Sequence, residues 1–221
     1  MAKSVLVLGL GQFGMSLARS LASHGVDVTA VDTREDRVQA AAAFVSDALV
    51  LDARDEAGLA RLGPARHETC VVAIGDDGRE ASIVATALLR QMGAPRVLAR
   101  ATDAMHERIL RLVGAHEVVD PERLEAERVS KRLSHTGVVD EIRLGESLTI
   151  TELRPPPAFV GRNLVDLALH RRFGVTVVAV HRLEAGAPLV LLPDPYDPIR
   201  GDDILVLVAA AGAVLAMTER V

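Results

Sequence analysis

The sequence predicts an α/β protein that begins with a doubly wound parallel sheet and ends with a smaller α/β domain. Over residues 1–120, short apolar runs alternate with helical segments, which is the pattern of βαβ units. A glycine-rich turn directly follows the first apolar run. After residue 137 the segments alternate like antiparallel strands. We therefore predict a Rossmann domain over 1–120, a linker helix over 121–137 and a second domain over 138–221.

The elements of the Rossmann domain each have their own signal. Strands are predicted for the apolar runs at 4–9, 26–31, 47–51, 70–75, 96–100 and 116–119. Helices are predicted between them at 12–23, 34–43, 55–61, 79–92 and 103–113. Several of these helices end in glycine, as helices often do. Strands separated by such helices form right-handed crossovers and pair in parallel.

The chain changes character after residue 120. The stretch 121–137 is charged and amphipathic and begins with Pro121, which suits a first helical turn. The alternating runs "VVDEIRLG" and "LTITELRP" predict antiparallel strands. The run "LVDLALHRRFG" predicts a short helix, "VTVVAVHR" and "PLVLLP" a hairpin, "DDILVLVA" a last strand and "AVLAMTER" a last helix.

Composition limits the kind of protein. Hydrophobic residues make up 49% of the 221 residues and aromatic residues only 2%, so the core must consist mainly of aliphatic side chains. The net charge of −5 does not support a positively charged surface that would bind nucleic acid. The single cysteine, Cys70, is predicted to be a buried core residue. The uncharged run 204–217 is shorter than the about 20 residues that a membrane span needs, and no signal peptide is evident, so we expect a cytoplasmic protein.

The segment "VLVLGLGQFG" carries the G-x-G-x-x-G fingerprint of a dinucleotide-binding turn, between a predicted strand and a predicted helix. In this motif Gly9 permits the tight turn, Gly11 lets the backbone approach a pyrophosphate, and Gly14 allows close packing of helix and sheet. The N–H groups from Gln12 onward then face the phosphates.

Acidic residues follow the next two predicted strands. Asp32 comes about 20 residues after the glycine turn and is the expected ligand of the ribose hydroxyls. Its charge predicts an unphosphorylated ribose, although Arg34 is near enough to accommodate a 2′-phosphate. Asp52 follows the third strand and could reach an adenine amino group or be a surface carboxylate. Ile74 and Gly75 end the fourth strand and are expected to line the same crevice.

The sequence shows a nucleotide site without a reaction site. The only tyrosine, Tyr196, lies in "PDPYDP" without a lysine four residues later, and the seven histidines form no recognisable acid–base constellation. No G-x-S-x-G and no Walker A motif is present. These observations favour a protein that senses a nucleotide and is not an enzyme. The alternative is an NAD-dependent oxidoreductase.

Five segments follow one another in an order that spans the first domain: "VLVLGLGQFG", "VTAVD", "VVAIGDD", "VLARA" and "ILRLVGAHEVVDPE". Together with the helix and the proline-bounded domain that follow, this order resembles the RCK family of cytosolic regulators of potassium conductance, in particular its stand-alone KtrA/TrkA type. The resemblance covers the whole chain. It implies that residues 138–221 are an RCK C-terminal regulatory domain.

The resemblance also implies a function, a ligand and partners. Such a protein is a gating subunit of a potassium uptake transporter or channel, and NAD(H), ADP or ATP in the Rossmann crevice is its regulatory ligand. It forms dimers and an octameric ring on an integral-membrane KtrB/TrkH-like subunit, at the inner face of the cell membrane. Exchange of the nucleotide changes the shape of the ring and gates the pore. No nucleic-acid partner is expected.

The glycine turn, the strand ends and the resemblance together give a predicted site. Arg100, at the end of the fifth strand, matches a basic position that faces phosphate. Glu122 matches an acidic residue near the γ-phosphate and the dimer interface, where it can help to hold Mg²⁺ or another divalent cation with ATP. The predicted nucleotide-binding residues are Gly9, Gly11, Gln12, Phe13, Gly14, Asp32, Thr33, Arg34, Asp52, Ala53, Ile74, Gly75 and Arg100.

Two positions depart from the pattern of the family. ATP-binding members often carry arginine directly after the second glycine of the turn, where this chain has the neutral Gln12, and this difference favours NAD(H) or ADP. Members that bind cyclic di-AMP carry arginine at the position of His170. His170 therefore counts against cyclic di-AMP, and His170 and Arg171 are the residues expected at a second ligand site in the C-terminal domain.

Overall fold

The computed structural model describes residues 3–134, 136–184 and 186–221, with the side chain of residue 76 left out. Internal contacts divide the chain into two compact units, Met1–Arg123 and Leu124–Val221. Each unit has its own sheet. The assignment of residues 121–137 to a separate linker stays a prediction.

The first unit contains a six-stranded parallel sheet, which confirms the predicted fold class. Its strands are β1 (Ser4–Leu8), β2 (Asp27–Asp32), β3 (Asp47–Val50), β4 (Thr69–Val72), β5 (Val97–Arg100) and β6 (Glu117–Val119). The helices between them are α1 (Gln12–Ser23), α2 (Glu35–Ala42), α3 (Glu56–Leu62), α4 (Arg79–Gln91) and α5 (Ala104–Leu112). Short 3₁₀ turns cover Pro64–Arg66 and Asp76–Gly78.

The central strands of this sheet are buried on both faces. Leu6 and Leu8 of β1 pack in one hydrophobic cluster, and Val5 and Val7 pack in another. Because successive side chains of a strand point to opposite faces, the two clusters cover the two faces of the sheet. Cys70 of β4 is fully buried in the first cluster, and burial raises the pKa of its thiol to about 12.

The strand order β3-β2-β1-β4-β5-β6 places the switch point between β1 and β4. The chain builds the sheet outward from β1 in one direction through β2 and β3, and then in the other direction from β4 onward. The loops that leave β1 and β4 therefore run to opposite faces of the sheet. A crevice forms between them at the carboxyl ends of the strands, where ligands of open α/β sheets bind.

The second unit contains a five-stranded antiparallel sheet of order β10-β9-β11-β8-β7. Its strands are β7 (Val138–Leu144), β8 (Leu148–Leu153), β9 (Thr176–Glu184), β10 (Ala187–Leu191) and β11 (Ile204–Ala210). Its core contains Phe159, Leu205, Leu207 and Met217, all at most 1% exposed. The run 204–217 forms β11 and the short helix α9 (Ala213–Thr218). No helix in the described parts of the chain is both long enough and apolar enough to cross a membrane.

The helices of the second unit differ from the prediction in one place. The run "LVDLALHRRFG" was expected as one helix, but the structure has two, α7 (Leu164–Leu167) and α8 (Leu169–Phe173). Ala168 between them adopts a left-handed backbone conformation with φ of 44°, which interrupts the right-handed helix. The helix α6 (Pro121–Ser134) precedes this domain, and none of its described residues is buried.

Candidate functional site

A cavity of about 710 Å³ lies at the carboxyl ends of β1 to β5. This volume falls in the usual range for a small-molecule site. Charged side chains of both signs and short apolar side chains line it together. The lining residues are Gly9, Gly11, Val31, Asp32, Thr33, Arg34, Arg37, Leu51, Asp52, Ala53, Arg54, Ala73, Ile74, Gly75, Asp77, Gly78, Glu80, Ala81 and Arg100.

The three glycines of the turn have three different environments. Gly9 has a positive φ of 96° and donates its N–H to the carbonyl of Val31 at 2.7 Å. A Cβ on Gly14 would overlap the carbonyl oxygen of Gly9. A Cβ on Gly11 would meet nothing within 4 Å. The first and third glycines are therefore required by the fold, whereas Gly11 borders open space in the cavity.

This difference predicts opposite results for two alanine substitutions. We expect Gly14→Ala to lower the free energy of unfolding by about 2–3 kcal/mol, because the new methyl group forces the helix away from the turn. We expect Gly11→Ala to change stability by less than about 1 kcal/mol but to weaken nucleotide binding by about tenfold, since its methyl group occupies the space of a phosphate. Urea unfolding and calorimetry measure the two effects. Equal stability losses in the two variants would contradict the assignment.

Asp32 ends β2 and is only 7% exposed. Its Oδ2 accepts the N–H of Leu10 at 2.6 Å, and its Oδ1 accepts the N–H of Arg34 at 2.9 Å. The guanidinium of Arg37 lies 3.5 Å from Oδ2. The carboxylate thus joins the glycine turn to the start of the loop after β2. Its fixed position at the cavity wall suits an acceptor of two hydroxyl groups.

Asp52 and Arg54, on the loop after β3, form a fork-shaped ion pair. Arg54 Nη2 donates to Asp52 Oδ2 at 2.7 Å, and its Nε lies 3.1 and 3.2 Å from the two carboxylate oxygens. The side-chain hydrogen bond from Arg54 lowers the pKa of Asp52, and the N–H of Arg54 adds to this effect. Asp52 is therefore ionised at neutral pH and holds the guanidinium in one orientation.

Arg100 lies at the opposite side of the cavity, at the end of β5. Its side chain is 13% exposed and pairs with the exposed carboxylate of Glu122. Its Nη1 lies against Gly75, where a Cβ would be 3.0 Å away. The buried Nε has no hydrogen-bond partner among the described residues. The arginine therefore presents an incompletely satisfied cation at the crevice.

The structure brings most of the predicted residues together and leaves some apart. The cavity wall contains the predicted residues Gly9, Gly11, Asp32, Thr33, Arg34, Asp52, Ala53, Ile74, Gly75 and Arg100. Gln12 is exposed, the half-buried Phe13 packs on a core cluster, and Gly14 packs on Gly9, so these three do not line the cavity. Glu122 contacts it through Arg100.

Sequence reasoning missed four charged residues of the wall: Arg37, Arg54, Asp77 and Glu80. A signal for Arg54 was present, because "DTR" after β2 and "DAR" after β3 share one pattern. The side chain of each aspartate accepts a hydrogen bond from the backbone N–H of the arginine two residues later, at 2.9 Å. Aspartate side chains commonly accept the backbone N–H two residues later in such turns.

The predicted metal and second-ligand residues remain predictions. The described part of the chain contains no group of three histidine, cysteine, aspartate or glutamate side chains placed to hold a metal ion. His170 and Arg171 lie on α8, where both are exposed. His170 Nδ1 lies 3.0 Å from the hydroxyl of Thr176.

The fold and the cavity define a class of protein: a Rossmann-type domain with a crevice at its switch point, combined with a small antiparallel α/β domain. The chain belongs to the TrkA family of RCK proteins, as its sequence motifs indicated. The TrkA-N domain matches residues 5–121, and the TrkA-C domain matches residues 148–221.

Individual relatives support this assignment along the whole chain. The chain is 32% identical to Ktr system potassium uptake protein C of Bacillus subtilis (strain 168) over 221 residues, which cover 100% of this chain and 98% of that protein. It is 34% identical to Ktr system potassium uptake protein A of Vibrio alginolyticus over 206 residues, 93% of this chain and 92% of that protein. The chain is thus a homologue of the Ktr/Trk potassium uptake proteins.

A solved structure of the GsuK channel bound to NAD has the same fold. The two structures superpose with a TM-score of 0.66 at 19% sequence identity. The match covers 98% of this chain and 39% of that chain, so this chain spans about two fifths of its length. The likeness shows a shared fold for both domains.

Proposed function

We propose that this protein is a nucleotide-sensing regulatory subunit of a potassium uptake transporter or channel. One observation carries the proposal: a chain homologous over its full length to Ktr potassium uptake proteins has an open cavity at the switch point of its Rossmann sheet. The site residues predicted from the sequence form much of its wall. Regulation of a membrane partner by a ligand in this cavity accounts for both facts.

The cavity supports a definite orientation of the nucleotide. Gly11 lines the cavity at the N-terminus of α1, a position that suits the phosphates. Asp32 suits the ribose hydroxyls next to them. Arg100, with Glu122, suits the distal phosphates or the second half of a dinucleotide, because it lines the same cavity from the end of β5, two strands from β1.

NAD(H) and ADP or ATP are the proposed ligands. The related fold of the GsuK channel has been solved with NAD, and the neutral Gln12 removes one positive charge from the phosphate end. Where ATP binds, Glu122 is the proposed ligand of Mg²⁺ or another divalent cation. A positive charge at the phosphate end would favour ATP over NADH.

Binding and not catalysis is the proposed role of the cavity. Of the side chains that often transfer protons beside a reacting group, the described wall residues include aspartate and glutamate but no histidine, tyrosine, lysine or cysteine. A nucleotide that has different affinities for two arrangements of an oligomer shifts their populations. We infer that dimers or an octameric ring of this protein, at the inner face of the membrane, transmit this shift to an integral-membrane KtrB/TrkH-like subunit.

Potassium uptake by the host tests the proposal. Deletion of the gene, with the neighbouring transporter gene intact, is expected to slow potassium uptake at limiting external potassium. The wild-type gene should restore uptake, and Gly11→Ala should restore it only in part. Calorimetry on the purified protein should show binding of ADP, ATP or NADH. Normal uptake in the deletion strain would refute the regulatory role, and NADH oxidation with a small carbonyl compound would instead support an oxidoreductase.

A further inference from the structure

The loops after β2 and β3 begin with the same pattern but use it differently. Asp32 and Asp52 each accept the N–H of the arginine two residues later, at 2.9 Å. The other oxygen of Asp32 is directed to the glycine turn, where it accepts the N–H of Leu10. Asp52 instead binds the guanidinium of its own Arg54 with both oxygens, Oδ1 to Nε and Oδ2 to Nη2.

Arg54 occupies most of the acceptor capacity of Asp52. An ionised carboxylate has about four lone-pair positions, and the N–H, Nε and Nη2 of Arg54 make four contacts with its two oxygens. Little capacity remains for a hydrogen bond from the amino group of a base. The direct adenine contact predicted for Asp52 is therefore less well supported than an indirect role through Arg54.

The topology places this pair next to the ribose position. Neighbouring strands lie about 4.8 Å apart, and the order β3-β2-β1 puts the phosphate turn, Asp32 and the β3 loop in one line. A nucleotide with its phosphates at the turn and its ribose at Asp32 has its base one strand further on. That position is bounded by Leu51, Ala53 and the guanidinium of Arg54, all of which line the cavity.

We propose that Arg54 is the stacking surface for the purine base and that Asp52 is its positioning residue. The inference rests on the proposed function, since it assigns the base end of the same site. A planar guanidinium held by a carboxylate fork stacks well on an aromatic face. Stacking depends on the area of the ring, so this platform favours purines over pyrimidines. It gives only weak discrimination between adenine and guanine.

The test compares ADP with UDP, which share the ribose and the diphosphate and differ in the size of the base. In Arg54→Ala we expect ADP affinity to fall about tenfold and UDP affinity about twofold, so that the ADP/UDP ratio falls about fivefold. Arg54→Lys should not restore the ratio, because an ammonium group lacks the planar fork. Asp52→Asn should lower the ratio in the same direction by a smaller factor. Arg61→Ala, which removes an exposed arginine of α3 outside the cavity wall, is the matched control.

The outcomes separate this proposal from the one it rests on. If the wild-type protein binds neither nucleotide, the nucleotide-sensing function fails and this inference fails with it. If the wild type binds ADP but Arg54→Ala keeps the ADP/UDP ratio, only the stacking platform is refuted. A fall of the ratio in Arg34→Ala and not in Arg54→Ala would assign the base to the loop after β2 and would also overturn the proposal.

Discussion

Replacement of Arg182 by leucine is expected to lower the free energy of unfolding by about 3–5 kcal/mol. Arg182 is 6% exposed and lies on β9, and its Nε and Nη2 donate to Asp203 at 2.8 and 2.9 Å. Its Nη1 donates to Asp197 at 2.5 Å. Asp203 is 1% exposed, so the substitution leaves a buried carboxylate without its cation. Urea unfolding at pH 7 measures the loss.

Two further variants isolate the cause of this loss. The double variant Arg182→Leu/Asp203→Leu should recover much of the stability, because it removes both charges from the interior together. Arg171→Leu removes an exposed arginine of α8 and should change stability by less than about 0.5 kcal/mol. If the double variant were as unstable as Arg182→Leu, lost packing and not an unpaired charge would be the cause.

The pH dependence gives an independent check. Burial raises the pKa of Asp203, but hydrogen bonds from Arg182 and from the N–H of Arg200 together outweigh burial and hold it below its ordinary value. A lowered pKa in the folded state stabilises the protein above the unfolded value of about 3.9, and the gain is lost as pH falls below it. Without Arg182, the largest pKa-lowering hydrogen bond is lost and the pKa of Asp203 rises relative to the wild type. The stability deficit of Arg182→Leu should therefore be largest near pH 7 and shrink toward pH 4.

The sheet of the first unit could be predicted from the sequence because its signals are local. Each strand from β1 to β6 is a short apolar run between helical segments, and the βαβ rule then fixes parallel pairing. The carboxyl ends of β1, β2 and β3 consequently placed the glycine turn, Asp32 and Asp52 along one crevice. The order of the parallel strands is enough to predict that these residues lie close together. In the structure they line one cavity.

The features that were missed depend on contacts between distant or exposed side chains. The pairing of Arg182 joins β9 to Asp203, directly before the neighbouring β11, and no sequence pattern distinguishes this arginine from exposed ones. The fork of Arg54 on Asp52 depends on side-chain rotamers in a loop. The break at Ala168 puts a residue that favours helices into a left-handed conformation, so local propensity predicted one continuous helix.

Replacement of Asp32 by alanine is expected to weaken binding of ADP or NADH by about 100-fold, because hydrogen bonds from two ribose hydroxyls to its side chain are lost. The variant also loses the acceptor of the Leu10 and Arg34 N–H groups. Its free energy of unfolding should therefore fall by about 1–3 kcal/mol. Calorimetry well below the melting temperature separates this effect on stability from the effect on affinity.

The matched control for Asp32→Ala is Asp47→Ala, at the opposite end of the neighbouring strand. Asp47 is exposed and lies outside the cavity wall, so this variant should bind nucleotide as the wild type does. If Asp32→Ala unfolds more easily but binds ADP and NADH with unchanged affinity, Asp32 serves only to hold the glycine turn. The ribose would then lie elsewhere in the crevice. If affinity falls as expected while Gly11→Ala also binds weakly and stays stable, the ribose position at Asp32 and the phosphate position at the glycine turn are both established.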